Sequence, residues 1–109
     1  MSEDSLITEL KNVIVATLEN HKAEDITVIN LKGKTSIAEY MIIASGRSSK
    51  HVASTAEFVI EEIKKRDGQY LIEGMNNSDW VLIDTLDIIV HLFSKEKREL
   101  YALEQLWQG

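Results

Sequence analysis

Apolar side chains recur along this chain in two different rhythms. Between positions 4 and 21 they stand at Leu6, Ile7, Leu10, Val13, Ile14 and Leu18. These steps of three and four draw one stripe on a helix, and Asp4 or Ser5 is placed to cap its start. From Glu24 to Leu31 the rhythm becomes alternation, with Ile26 and Val28 on one side and Ile29 and Leu31 on the other. The segment runs into Lys32-Gly33-Lys34, so it reads as a strand and a turn. Thr35 to Glu39 reads as a short link with one helical turn. Tyr40-Met41-Ile42-Ile43-Ala44-Ser45-Gly46 is almost continuously apolar, as a central strand covered on both faces should be. Ser48-Ser49 then open a helix to about Arg66, striped by Val52, Ala56, Val59 or Phe58, Ile60 and Ile63. Lys64-Lys65-Arg66 complements the helix dipole in its last turn, and Gly68 ends it.

The remainder predicts three strands and a helix. Tyr70 to Gly74 is short. Trp80–Thr85 and Asp87–Phe93 are nearly adjacent and should pair as a hairpin. Val81, Ile83 and Thr85 oppose Trp80, Leu82 and Asp84 in the first; Ile88, Val90 and Leu92 oppose Asp87, Ile89, His91 and Phe93 in the second. Ser94 can cap a final helix striped by Leu100, Leu103, Leu106 and Trp107. Lys97 stands where a capping box needs Glu or Gln, and Lys95 and Glu99 are spaced to pair weakly. The order is α-β-β-α-β-β-β-α: an α/β (α+β) fold with a mixed β-sheet of about five strands flanked by helices.

With 109 residues, 44% of them hydrophobic, the chain suits a single domain spanning 1–109. Cysteine and proline are both absent, so disulfides, thiolate metal sites and Pro-rich tracts are excluded. The acidic, polar start Met1-Ser2-Glu3-Asp4-Ser5 does not resemble a signal peptide, and no apolar run approaches the roughly 20 residues of a membrane span. The expectation is a cytoplasmic protein without a membrane partner. The net charge is −6, which argues against nucleic acid as the main contact. Five of the six excess negative charges fall within 67–93, where Asp67, Glu73, Asp79, Asp84 and Asp87 stand without a single Lys or Arg. Chance fluctuation explains this. So does a face that repels nucleic acid and attracts a basic partner.

Candidate chemistry is sparse. His21, His51 and His91 have no short ligand spacing, and His91 is expected to pack within the sheet with a ring nitrogen hydrogen-bonded nearby. Gly46-Arg47-Ser48-Ser49 joins a strand to a helix. It matches no phosphate-loop motif, and a turn with serine as the cap is the simpler reading. Asp84 and Asp87 flank a tight turn, where paired acids bind Mg²⁺ or, more commonly, are solvated turn residues. No catalytic residue, cofactor or metal ligand is assigned. Trp80 follows the polar stretch Asn76-Asn77-Ser78-Asp79. It is either a core residue whose indole N–H needs a partner or an exposed interface anchor.

The motifs align, in order, with a known family. They are Ser36-Ile37-Ala38-Glu39-Tyr40-Met41-Ile42-Ile43-Ala44-Ser45-Gly46, Ser48-Ser49-Lys50-His51-Val52, Glu73-Gly74, Ser78-Asp79-Trp80-Val81-Leu82-Ile83-Asp84, Asp87-Ile88-Ile89-Val90-His91-Leu92-Phe93 and Arg98-Glu99-Leu100-Tyr101-Ala102-Leu103-Glu104-Gln105-Leu106-Trp107. Through them the chain resembles the ribosomal silencing factor S, or Iojap, family over about residues 6–107. It departs from the family at Glu39, where Asp is common, and at Leu86, where a turn glycine is common. A leucine at a position with φ > 0 is strained. The resemblance implies a nucleotidyltransferase-like fold without the catalytic signature, and a translational repressor without enzymatic activity. It implies binding to the large ribosomal subunit through its fourteenth protein, which blocks association with the small subunit when nutrients are short. By motif the partner-binding residues are Ser78, Asp79, Trp80 and Val81. The alternatives are a large-subunit assembly factor using the same docking site, and a nucleotidyltransferase-type enzyme. An exposed Trp80 hairpin would also pair two copies of the free protein as a homodimer.

Overall fold

The computed structural model describes residues 3–101. Helix α1 (Glu3–Asn20) is followed by strands β1 (Glu24–Asn30) and β2 (Tyr40–Gly46) and by helix α2 (Ser49–Lys65). Strands β3 (Leu71–Glu73), β4 (Trp80–Asp84) and β5 (Ile88–Ser94) then lead into helix α3 (Lys95–Tyr101). This is the order expected from the sequence. The expected stripe along the last helix and the Lys95–Glu99 pair concern side chains outside the described residues. Among those described, no helix is long and apolar enough to cross a membrane.

Three local expectations need correction. Helix α1 already includes Glu3, so Asp4 and Ser5 lie inside it and do not cap it. Thr35–Glu39 forms no helical turn. Gly33, at φ +80°, lets the amides of Lys34 and Thr35 fold back on the Leu31 carbonyl, and Thr35 Oγ1 accepts from Ile37 N–H at 3.2 Å. At the end of α2 the left-handed residue is Asp67, at φ +54°, and not Gly68. The Asp67 and Gly68 amides bond to the Lys64 and Ile63 carbonyls, the paired bonds of a Schellman cap. Gly68 is needed for a different reason: a β-carbon there would stand 2.8 Å from Ile63 Cγ2.

The sheet runs β1-β2-β5-β4-β3, with β2 and β5 parallel and the other pairs antiparallel. Registry sends alternate residues to opposite faces. Tyr40, Ile42 and Ala44 of β2, Val81 and Ile83 of β4, and Ile88, Val90 and Leu92 of β5 meet Ile7, Ile14 and Leu18 of α1 and Val52, Ala56, Val59 and Ile63 of α2. This is the main core. The second face carries a smaller cluster, with Ile29, Leu31, Ala38, Met41, Ile43 and Phe93 buried and Trp80 and Ile89 packed against them. Strand β2 is buried along its whole length, as its continuous apolar run requires.

Helix α3 is fastened to the second face by Arg98. Strand β1 bulges between Glu24 and Thr27, and Asp25 takes φ +49°. The bulge turns the Asp25 carbonyl toward Arg98 Nη1, which also donates to Ser45 Oγ at 3.0 Å, while Nη2 donates to Thr27 Oγ1 at 3.0 Å. A buried guanidinium is thus held by oxygens from two neighbouring strands.

Candidate docking face around Trp80

The segment Ser78–Val81 is positioned by a closed loop. Gly74, at φ +91°, reverses the chain after β3, and its carbonyl accepts the Ser78 amide at 2.9 Å. Ser78 is buried at φ +59°, and its hydroxyl donates to the Met75 carbonyl at 2.9 Å. Asp79 faces inward: its Oδ1 accepts from Ser49 Oγ at 2.8 Å, and its carbonyl accepts from Ser94 N–H at 2.9 Å. One residue thereby ties the loop to the start of α2 and the end of β5. Val81 is fully buried in the main core. Of the four motif residues, only Trp80 turns a large apolar side chain toward the second face.

Trp80 is half-buried, and its two sequence readings turn out to be compatible. Its indole packs against the second cluster, with Phe93 5.2 Å and His91 5.8 Å away between ring centroids. Its Nε1–H donates to His91 Nδ1 at 3.0 Å. This fulfils the expectation that His91 packs in the sheet with a local hydrogen bond. Burial pushes the His91 pKa down to about 4, so the ring is neutral near pH 7.

Pairing places further residues beside Trp80. Across β5, β4 and β3, His91, Leu82 and Glu73 form one row of the second face, and Ile89, Asp84 and Leu71 form the next. Leu71 is 68% exposed, and Leu82 and Ile89 are half-buried. The face is therefore an apolar strip with Glu73 and Asp84 among its members. Alternation along β4 already put Leu82 on the face of Trp80, but Leu71 was not singled out from the sequence, because only the β3–β4 register brings it to that surface.

The acidic stretch is less unified than its sequence suggests. Asp67 sits in the cap of α2. Asp87 precedes β5 and, with Leu6, Leu10, Ile63 and Arg66, lines a groove of about 350 Å³. It therefore does not join Ile89, His91 and Phe93 on the second face. Asp84 Oδ1 accepts from Leu86 N–H at 2.7 Å, the behaviour of a turn residue. Leu86 has φ +80°, the left-handed conformation that the sequence expectation of strain at this turn position required.

The remaining candidate groups are tied into the scaffold. Ser48 caps α2, accepting from His51 N–H at 3.1 Å, and the Arg47 amide donates to His51 Nδ1 at 3.0 Å. His51 Nε2 lies 2.7 Å from the His21 carbonyl, and the His21 ring stacks on Phe58 at 3.6 Å. Among the described residues, no three His, Asp or Glu side chains come together as a metal site would require.

Among the described residues, the half-buried Trp80, held by His91 and Phe93, is the candidate contact of a binding module. Comparison with known proteins names the kind. The family model "Ribosomal silencing factor during starvation" matches residues 4–109, and the chain belongs to that family. It is 46% identical to the ribosomal silencing factor RsfS of Zymomonas mobilis, over 90% of this chain and 74% of that protein. A crystal structure from Chromobacterium violaceum superposes with a TM-score of 0.90 at 32% identity, covering 94% of this chain and 87% of that one. The mouse protein named "Mitochondrial assembly of ribosomal large subunit protein 1" is 32% identical over 88% of this chain and 44% of its own length. The family is regulatory and not enzymatic, which sets aside the nucleotidyltransferase-type alternative.

Proposed function

We propose that this chain represses translation by binding the large ribosomal subunit through its fourteenth protein and blocking association with the small subunit when nutrients are limiting. The observation that carries this reading is the Trp80 face: a large aromatic ring, half-exposed and already packed, next to Leu82, Ile89 and the acidic Glu73. Aromatic anchors of this kind dominate protein interfaces, and the acids of the Lys- and Arg-free stretch 67–93 suit a basic ribosomal protein. Trp80 supplies the contact. Ser78 and Asp79 hold the start of β4, and Val81 fastens it to the core. Blocking needs only docking and bulk, so the cytoplasmic protein works without cofactor or metal. The same face would pair two copies of the free protein, and light scattering over a concentration series reads that equilibrium.

The test is co-sedimentation with purified large subunits. Trp80→Glu puts a charge in the contact and abolishes pelleting, while its circular dichroism spectrum stays that of the parent. A folded Trp80→Glu protein that still pellets overturns the docking assignment.

The mouse relative's name supports a second reading, in which the same docking serves large-subunit assembly. Sucrose gradients of cells lacking the protein separate the two. Excess joined ribosomes in starvation indicate silencing; precursor particles during growth indicate assembly.

A further inference from the structure

We propose that His91 is a positioning residue for docking: its Nδ1 fixes the Trp80 indole in the orientation that the partner receives. This inference rests on Trp80 being the contact.

An indole Nε1–H can only donate, so at 3.0 Å His91 Nδ1 must accept and the ring proton sits on Nε2. In the β4–β5 register Trp80 stands opposite Phe93 and Leu82 opposite His91, so the indole leans along the strand and reaches its diagonal neighbour. Phe93, 5.2 Å away between centroids, stacks with the indole while His91 holds its N–H. Both supports are buried and both belong to β5, the strand between β2 and β4. A half-exposed tryptophan without such supports would sample several rotamers and lose that freedom on docking. Ordering one rotamer-rich side chain costs roughly 3- to 10-fold in affinity. His91 removes that cost beforehand while leaving the rest of the ring available.

The experiment compares His91→Asn, which keeps an acceptor oxygen near the place of Nδ1, with His91→Leu, which keeps bulk and loses the acceptor. Affinity for purified large subunits is measured beside the ¹⁵N–¹H signal of the Trp80 indole, distinguished from that of Trp107 by its absence in Trp80→Phe. His91→Leu is expected to move the indole signal to the position of a free N–H and to weaken binding about tenfold. His91→Asn is expected to keep the bonded signal and stay within about threefold of the parent. Unchanged affinity in folded His91→Leu, or His91→Asn as weak as His91→Leu with its bonded signal intact, overturns the proposal. Should His91→Leu fail to fold, Trp80→Phe carries the test, because it deletes the donor and keeps a ring: parental affinity overturns the proposal, and a loss like that expected for His91→Leu supports it. Failure of the underlying reading looks different. In that case Trp80→Ala itself binds subunits like the parent, whatever is done at His91.

Discussion

The carbonyl oxygen of Trp80 lies 2.0 Å from the point where a β-carbon on Gly74 would stand. No side chain fits there, and Gly74 also holds φ +91°, which L-residues rarely adopt. Gly74→Ala must therefore open the loop between β3 and β4. The expected cost is about 2–4 kcal/mol, read as a lower urea midpoint. Subunit binding should fall further than stability alone explains, because the loop sets where Trp80 begins.

Leu86 presents the opposite case. It is 67% exposed and holds φ +80° in the β4–β5 turn. Glycine would relieve the backbone while giving up little burial. Leu86→Gly is expected to stabilise the protein by about 1 kcal/mol and raise the melting temperature by about 4 °C. A lower melting temperature would show that the leucine side chain makes a compensating contact.

Arg98 should be hard to replace. Its guanidinium serves the Asp25 carbonyl, Ser45 Oγ and Thr27 Oγ1 together. Arg98→Ala leaves these acceptors without their donor and should cost about 2–3 kcal/mol. Arg98→Lys should recover less than half of this, since an ammonium cannot reproduce the planar fork. Urea unfolding of both variants provides the comparison.

His91 makes stability depend on pH. Its native pKa is about 4 against an ordinary value of 6.5. Above pH 6.5 the ring is neutral in both states and carries no penalty. As pH falls from 6.5 toward 4 the unfolded chain takes up the proton first, so stability drops, by on the order of 3 kcal/mol across the window. Glu24, held below its ordinary 4.5 by Lys95, and Glu62, held low by Lys65, add losses only below about pH 4.5. The interval between 6.5 and 4.5 is therefore where His91 acts and these carboxylates do not. In His91→Asn the slope of unfolding free energy over that interval should flatten.

The sequence was most informative where one periodicity served one environment. The run from Tyr40 to Gly46 could only be a doubly covered strand, and β4 alternates because α2 covers one of its faces. Capping details were less legible. Asp67 and Gly68 are both competent at a helix end, and which takes the left-handed position depends on the close approach of Gly68 to Ile63. The candidate site was visible as a motif, and its surface only within β4. Adjacent residues in a strand point to opposite faces, so Val81 and Trp80 share a motif and not a face. The bond between Trp80 and His91 was hidden for the same reason, since it depends on a register that neither strand specifies alone. Asp87 misled because alternation was extended one residue past the start of β5.

The sheet also has a seam. Strands β1 and β2 neighbour each other in sequence, as do β3, β4 and β5, so each group pairs locally. The two groups meet only where Tyr40–Gly46 lies parallel to Ile88–Ser94. Closing that seam brings together stretches separated by almost half of the chain, and such closure is the slow step in assembling a domain of this kind. Conservative truncations along it, at Ile42 and Val90, should slow folding, whereas truncations in the outer strand β3 should chiefly hasten unfolding. Trp80 and His91 both belong to the second group, so a chain that has not yet joined its halves can already have them side by side.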